Sequence, residues 1–200
     1  MTELMKLFWA PQTRSSRAVW MLEEAGVEYE LEHIDIRDGG RQSNVDFRAA
    51  SPMRKVPALK DHNVQMAESA AICLYIADRY CPGTLAPTID DPDRGIFLYW
   101  LMYTPAVIEP TMSEKLNKIQ PNRIRNGWGD FKSMINTLSD GLGNKPWILG
   151  DHFTAADVML GSSVHFMQLF DLLGDAPVLI DYVDRCRQRP AFIAAQAKGA

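Results

Sequence analysis

The chain has 200 residues, 46% hydrophobic and 23% charged, with a formal net charge of −4, enough for one large domain or two small ones with cores of their own. The acidic balance and scattered cations argue against nucleic acid as the main partner, because phosphate binding uses a basic stripe. No apolar run approaches the ~20 residues of a membrane span, the first residues lack a signal-peptide pattern, and three cysteines (Cys73, Cys81, Cys186) at no metal or redox spacing point to a reducing cytoplasm.

Up to residue 80, strand and helix signals alternate. LMKLFW is an apolar run of buried-strand length. SSRAVWMLEEAG follows as a helix, with Ala18, Val19, Leu22 and Ala25 on one face and Gly26 as its stop. The connection between them holds Thr13, Arg14, Ser15, Ser16 and Arg17, more polar groups than one N-cap needs, and Ser16 is the expected cap. VEYELEHID alternates Val27, Tyr29 and Leu31 with Glu28, Glu30 and Glu32, as a strand does. Residues 37–51 are polar, with a Gly39-Gly40 break and room for at most a short helix. VPALKDHNVQMAE predicts a hairpin of residues 56–60 and 64–67, turning at Asp61-His62-Asn63. SAAICLYIADRY returns to helical spacing through Ile72, Cys73, Ile76 and Ala77.

The text then changes to CPGTLAPTIDDPD, a linker by its prolines and aspartates. The expected organisation is an α/β domain over 1–80, a linker over 81–91 and an all-helical domain over 92–200. Helices are predicted over 94–119, kinked or divided by Pro105 and Pro110; over 123–143, weakened by Gly127 and Gly129; over 154–174; and over 177–188. The third opens on a capping box of Thr154 and Asp157, with Phe153 and Val158 at the hydrophobic-staple positions. His33, His62, His152 and His165 are dispersed, so no metal is expected.

SPMRKVPALKDHNVQMAESAAICLYI resembles the glutathione-site half of the cytosolic glutathione transferases. There an Asn/Ser-Pro-x-x-Lys-Val-Pro-x-Leu stretch leads into a hairpin and then Glu-Ser at a helix start. KLFWAPQTRSSRAVWMLEEAGVEYE is similar to the family's first β-α-β unit, ILGDHFTAADVML to its capping-box helix, and RPAF to a segment near its end. The four segments occur in order along the chain. The resemblance implies an α/β thioredoxin-like N-terminal domain plus an all-α C-terminal domain, assembled as a homodimer in the cytoplasm. It further implies a detoxifying transferase that takes glutathione as co-substrate and a small hydrophobic electrophile bound between the domains.

Residue roles follow from the same resemblance. The family's proline after Val56 is cis, which offers the Val56 backbone to the cysteine of glutathione as one more extended strand; by itself Val56-Pro57 reads as an ordinary strand-starting proline. A helix N-terminus can hold a carboxylate with Ser69 as an added donor, and Glu68 can pair with an ammonium. Those two groups make up the γ-glutamyl end of glutathione; the alternative is that Ser69 only caps the helix. Lys55 matches the lysine near the glycyl carboxylate, with a solvated surface lysine as its alternative reading. Trp9 and Tyr103 are candidates for the electrophile pocket, against the alternative that they are core aromatics.

The thiol needs little help. At pH 7 a free cysteine of pKa ~8.5 is about 3% thiolate, and lowering that value by ~1.5 units takes about 2 kcal/mol. One hydrogen bond to a charged acceptor is worth ~1.5–3 kcal/mol, so a single hydroxyl suffices. Alignment with theta- and phi-like classes puts Thr13 at the catalytic serine. Alignment with the beta-like class puts Arg14 at the catalytic cysteine, and with zeta- and tau-like classes Gln12 at the serine. Thr13 is therefore the first candidate and Ser15 the second. No cysteine stands at 12–16, which favours thiolate attack over glutaredoxin-like exchange. Two alternatives share these residues: a non-catalytic ligand- or protein-binding module, and a glutathione-dependent isomerase or dehalogenase.

Overall fold

In the computed structural model, which describes residues 4–38 and 45–199, the first apolar run becomes the inner strand β1 (Met5–Trp9). It pairs in parallel with β2 (Tyr29–His33), Met5 opposite Tyr29 and Trp9 opposite His33. Its other edge pairs antiparallel with β3 (Ala58–Asp61), which forms a hairpin with β4 (Val64–Ala67), in the order β2-β1-β3-β4. The hairpin differs from expectation at both ends. Ladder pairing begins only at Ala58, after Pro57, which has no N–H to give. Asp61 still pairs with Val64, so His62 and Asn63 alone make the turn, His62 at φ 51°.

Helix α1 (Ser15–Ala25) buries Ala18, Val19 and Leu22 and ends at Gly26, whose φ of 63° suits a residue without Cβ. Ser16 is not its cap: Arg14 holds that position, and Ser16 lies in the first turn with its hydroxyl on the Thr13 carbonyl at 3.1 Å. The capping work falls to Thr13, whose Oγ1 accepts the Ser15 N–H at 3.2 Å. The Gly39-Gly40 break lies outside the described residues. Beyond it α2 (Val45–Ala50) sets Phe47 against Phe8, ring centroids 5.6 Å apart, in a buried cluster with Ile34, Ala50 and Ala58. Helix α3 (Ser69–Tyr80) buries Ile72, Cys73, Ile76 and Ala77 as its spacing predicts.

Two compact units result, and their boundary departs from the expected one. The first runs to Leu85 and regains the chain from Arg189 onward, while Ala86–Gln188 forms the second. The returning segment is α9 (Pro190–Ala197), absent from the predicted elements. Its Phe192 meets Trp20 edge-on at 5.0 Å, and Arg189 grips the Glu24 carboxylate with Nε at 2.6 Å and Nη2 at 2.7 Å. Such two-pronged pairs are among the stronger charge-assisted contacts. The first unit is the thioredoxin-like α/β part and the second is all α.

In the second unit the kinked helix is α4 (Arg94–Tyr103), a π-helical turn (Thr104–Ile108) and α5 (Glu109–Leu116) in direct succession. Pro105 and Pro110 supply no N–H, and the chain absorbs the loss by widening: the Glu109 N–H reaches back five residues to the Thr104 carbonyl. Helix α6 (Phe131–Leu142) starts eight residues later than expected at 123, because Gly129 takes φ 73° and Asp130 caps the helix, accepting the Ser133 N–H at 2.8 Å. The capping box is present on α7 (Ala155–Leu169), which packs against α8 (Pro177–Arg187). Asp157, wholly buried, accepts from Ile148 N–H (2.8 Å), Thr154 N–H (3.0 Å) and the Tyr182 hydroxyl (2.9 Å), joining three segments.

Candidate functional site

The sheet register assembles most of the predicted residues. Phe8 stands opposite Ala58, and Ala58 opposite Ala67. The chain leaving β1 toward Thr13, the chain entering β3 from Val56 and the chain leaving β4 into Glu68 and Ser69 therefore all hang from one end of the sheet. Trp9, half-buried, closes that end of β1.

At the β1–α1 turn Gln12 adopts φ 55°, and two hydroxyls form a short chain fixed at both ends to Ala10. Thr13 Oγ1 lies 2.7 Å from the Ala10 carbonyl, to which it donates, and 3.0 Å from Ser15 Oγ. Ser15 Oγ accepts the Ala10 N–H at 3.3 Å. Ser15 has no exposed surface, whereas Thr13 is half-buried, so only Thr13 can touch a ligand as the turn stands. Arg14 and Gln12 are exposed. One turn on, Arg17 is buried; its charge draws the Cys73 thiol down, but burial outweighs it and pushes that thiol up to about 12. Cys81 is likewise raised by burial, and Cys186 is buried. Neither Cys73 nor Cys81 is a thiolate near neutrality by these causes.

The second strip depends on a residue that the sequence reading passed over. Buried Ser51 accepts the Lys55 N–H at 2.9 Å and donates to the Lys55 carbonyl at 2.8 Å, pinning both sides of one residue. Its own carbonyl takes the Arg54 N–H, with Arg54 at φ 55°. The loop thus delivers Val56 with its side chain packed on the Phe8–Phe47 cluster and a cis bond to Pro57, and leaves Lys55 exposed. The available signal for Ser51 was its place as the first residue of SPMRKVP.

At the third strip Glu68 is the N-cap of α3 with φ 73° and ψ 116°. A left-handed φ costs a non-glycine residue roughly 1–3 kcal/mol, and such residues gather at functional sites. Its carbonyl receives the Ile72 N–H at 2.9 Å, while its side chain makes no capping bond and is exposed. Ser69, 8% exposed, is the first helical residue. Around it lie the free amide hydrogens that a 12-residue helix presents at its start.

The two pocket candidates fall in different units. Trp9 meets His33 edge-on at 6.2 Å, and a Cβ at Gly199 would sit 3.6 Å from its ring. Tyr103 is 7% exposed, packed against Tyr99 and Trp100 at 5.7 and 5.2 Å. Burial raises its phenol, offset in part by a hydrogen bond with Thr137. Among the described residues no group of three or more His, Cys, Asp or Glu is placed to hold a metal, and no helix is long and apolar enough to cross a membrane.

Residues 3–78 match the glutathione S-transferase N-terminal domain and residues 121–185 the C-terminal domain. The disulfide-bond oxidoreductase YfcG of Escherichia coli K12 is 27% identical over 203 aligned positions, covering 94% of this chain and 92% of that protein. A solved glutathione transferase from Methylococcus capsulatus is 28% identical with a TM-score of 0.84, covering 98% of both chains. A sphingomonad glutathione S-transferase solved in complex with glutathione is 26% identical with a TM-score of 0.80, covering 97% of this chain and 98% of that one.

Proposed function

The chain belongs to the glutathione S-transferase family, and on that premise we propose that it binds glutathione on its first unit and activates the thiol for attack on a small hydrophobic electrophile. The observation that carries the proposal is the convergence of Thr13, Val56, Glu68 and Ser69 at one end of the sheet. The Val56 backbone pairs with the cysteinyl residue in strand fashion. The Glu68 carboxylate takes the γ-glutamyl ammonium, while Ser69 and the first amides of α3 take its carboxylate. Lys55, exposed on the pinned loop, neutralises the glycyl carboxylate.

Thr13 is the thiolate donor in this scheme and Ser15 a positioning residue. The single Thr13 proton turns from the Ala10 carbonyl to the sulfur, and the Ser15 hydroxyl, 3.0 Å away, donates into Thr13 Oγ1 in its place. One such bond supplies the ~1.5–3 kcal/mol that the shift in thiol pKa needs. The thiol proton leaves to solvent. The sulfur lone pair then forms the bond to the electrophilic carbon, and the leaving group departs with its electron pair. Trp9 offers apolar surface to the electrophile; Tyr103 offers little, with 7% of its surface exposed. A cytoplasmic homodimer that detoxifies such electrophiles completes the proposal.

A second reading rests on the similarity to YfcG, a disulfide-bond oxidoreductase. With Cys73 pushed up to about 12 and Cys81 raised, the reacting sulfur would be that of glutathione. Its thiolate attacks a disulfide, one sulfur leaves as a thiolate, and a second glutathione releases the mixed disulfide as oxidised glutathione. Retention on immobilised glutathione tests the common core of both readings. Wild type should be retained and Ser69→Ala retained weakly; a folded wild type that passes straight through would overturn both. Conjugation of an aryl halide against reduction of a small disulfide then separates the two.

A further inference from the structure

The connection from α5 to α6 holds an isoleucine out into water. Residues 122–126 form one tight turn, in which the Asn122 carbonyl accepts the N–H groups of Arg125 at 3.1 Å and Asn126 at 2.8 Å. Both flanks of the turn are pinned to the helices. Arg123 pairs with Asp130 at 2.6 Å and reaches the Ser133 hydroxyl at 3.2 Å, while the Asn126 side chain donates to Glu114 at 2.7 Å. Ile124, between these two anchors, is left 98% exposed. Close to it along the chain, Ile119 is 55% exposed and Leu116 48%. Aliphatic side chains gain free energy on leaving water, and here a braced turn keeps one where only a partner can cover it.

Charge surrounds this tip. Residues 115–132 hold Lys115, Lys118, Arg123, Arg125 and Lys132 against Asp130 alone, a local +4 in a chain whose net charge is −4. Arg123 neutralises Asp130, whereas Lys118, Arg125 and Lys132 are exposed and have no ion-pair partner among the described residues. Helices α5 and α6 bring Lys115, Lys118 and Lys132 to one surface around Ile119. Lys118 takes φ 57° where α5 ends, a conformation that glycine adopts without a Cβ penalty, so its ammonium is kept there at a cost to folding.

Aliphatic tips among cations fit a lipid surface better than a protein. A protein interface is anchored by aromatic side chains buried in shaped pockets, and the aromatic of this loop, Trp128, already has its indole N–H covered. A bilayer needs no shape match: it takes apolar side chains into the acyl boundary and draws cations to its anionic headgroups.

We propose that this turn docks the chain peripherally on an anionic bilayer surface, with Ile124 inserted below the headgroups and Lys118, Arg125 and Lys132 on lipid phosphates. The docking uses no residue of the glutathione site and does not depend on the function proposed above. With that function, it places the chain where apolar electrophiles partition.

The test is flotation of the full chain with vesicles of phosphatidylcholine carrying about one-third phosphatidylglycerol, against vesicles of phosphatidylcholine alone. The chain should float with the anionic vesicles at low salt, lose most of that binding in about 0.5 M sodium chloride, and stay behind with the neutral ones. Each cation near such a surface is worth about fivefold in partitioning, so Lys118→Gln/Arg125→Gln should lose roughly twenty-fivefold. Ile124→Ser should lose about tenfold. Ile193→Ser, at a 57% exposed isoleucine on α9, should bind as wild type. All three variants should keep the wild-type melting temperature. Emission of Ile124→Trp should shift to the blue on anionic vesicles and be quenched by brominated lipid beyond that of wild type. No flotation with anionic vesicles, equal binding to both kinds, or wild-type binding by Ile124→Ser would overturn the proposal. In the first case, retention of the chain on immobilised polyglutamate would assign the patch to an acidic polypeptide instead.

Discussion

Thr13 and Ser15 look interchangeable in the sequence, and three-dimensional placement separates them. Both are hydroxyls two residues apart, but the turn at Gln12 leaves one half-buried and covers the other completely. No propensity encodes that difference, because it depends on where the Ala10 backbone lies. Glu68 is similar: its left-handed backbone is invisible in the residue type, and only the resemblance gave it a role. Ser51 was legible solely as the first residue of a motif, yet it fixes Lys55 on both sides. Ser51→Ala should cost about 1–3 kcal/mol of stability, since two backbone groups lose their partner. It should also weaken glutathione binding by loosening Lys55 and Val56. Denaturant unfolding and calorimetry together check this; an unchanged affinity would show that the pinned loop does not serve the site.

Elements with strong local signals were read well. The α3 span and the Thr154–Asp157 box stand as the sequence reading placed them, because spacing and capping are local chemistry. Elements set by tertiary contact were not. Apolar spacing drew α6 back to 123, whereas Asp130 and Gly129 start it at Phe131. Gly141, a small break in an otherwise good helix by propensity, is required by packing: a Cβ there would lie 2.4 Å from the Trp100 ring. Gly141→Ala should gain up to about 1 kcal/mol of helix propensity, lose about 1–3 to overpacking, and so come out destabilised in urea.

The same unit should carry a pH signature from Asp157. Burial lifts its carboxyl from 3.8 to about 6, against the pull of the Ile148, Thr154 and Tyr182 bonds. Between those values the folded state holds a proton that the unfolded state has released. Its contribution is therefore complete below about pH 4 and is lost as pH rises through about 6, on the order of 3 kcal/mol in all. Asp157→Asn cannot titrate, so its stability deficit relative to wild type should shrink from about pH 4 to about pH 7 in urea unfolding. A deficit that grows with pH would mean that the hydrogen bonds, not burial, govern the group.

At the scale of the molecule, two units and their α/β and all-α characters were legible from composition and the proline-rich linker. The return of the chain to the first unit was not. It depends on contacts such as Arg189 with Glu24, 165 residues apart in sequence, and on an eight-residue helix too short to stand out by periodicity. Removing the residues after Gln188 should expose Trp20 and strip Glu24 of its guanidinium. A loss of at least about 3 kcal/mol is expected, read from tryptophan fluorescence in denaturant. An unchanged midpoint would show that α9 adds nothing to the first unit. The central claim concerns the sulfur. The most direct test is the pKa of the glutathione thiol bound to the folded chain, followed by thiolate absorbance. Wild type should give a value about 1.5 units below the free thiol at ~8.5, with Thr13→Ser close to it and Thr13→Ala returned toward the free value at little change in affinity. A bound thiol that titrates like free glutathione in the wild type, or one that ignores Thr13→Ala, would contradict it.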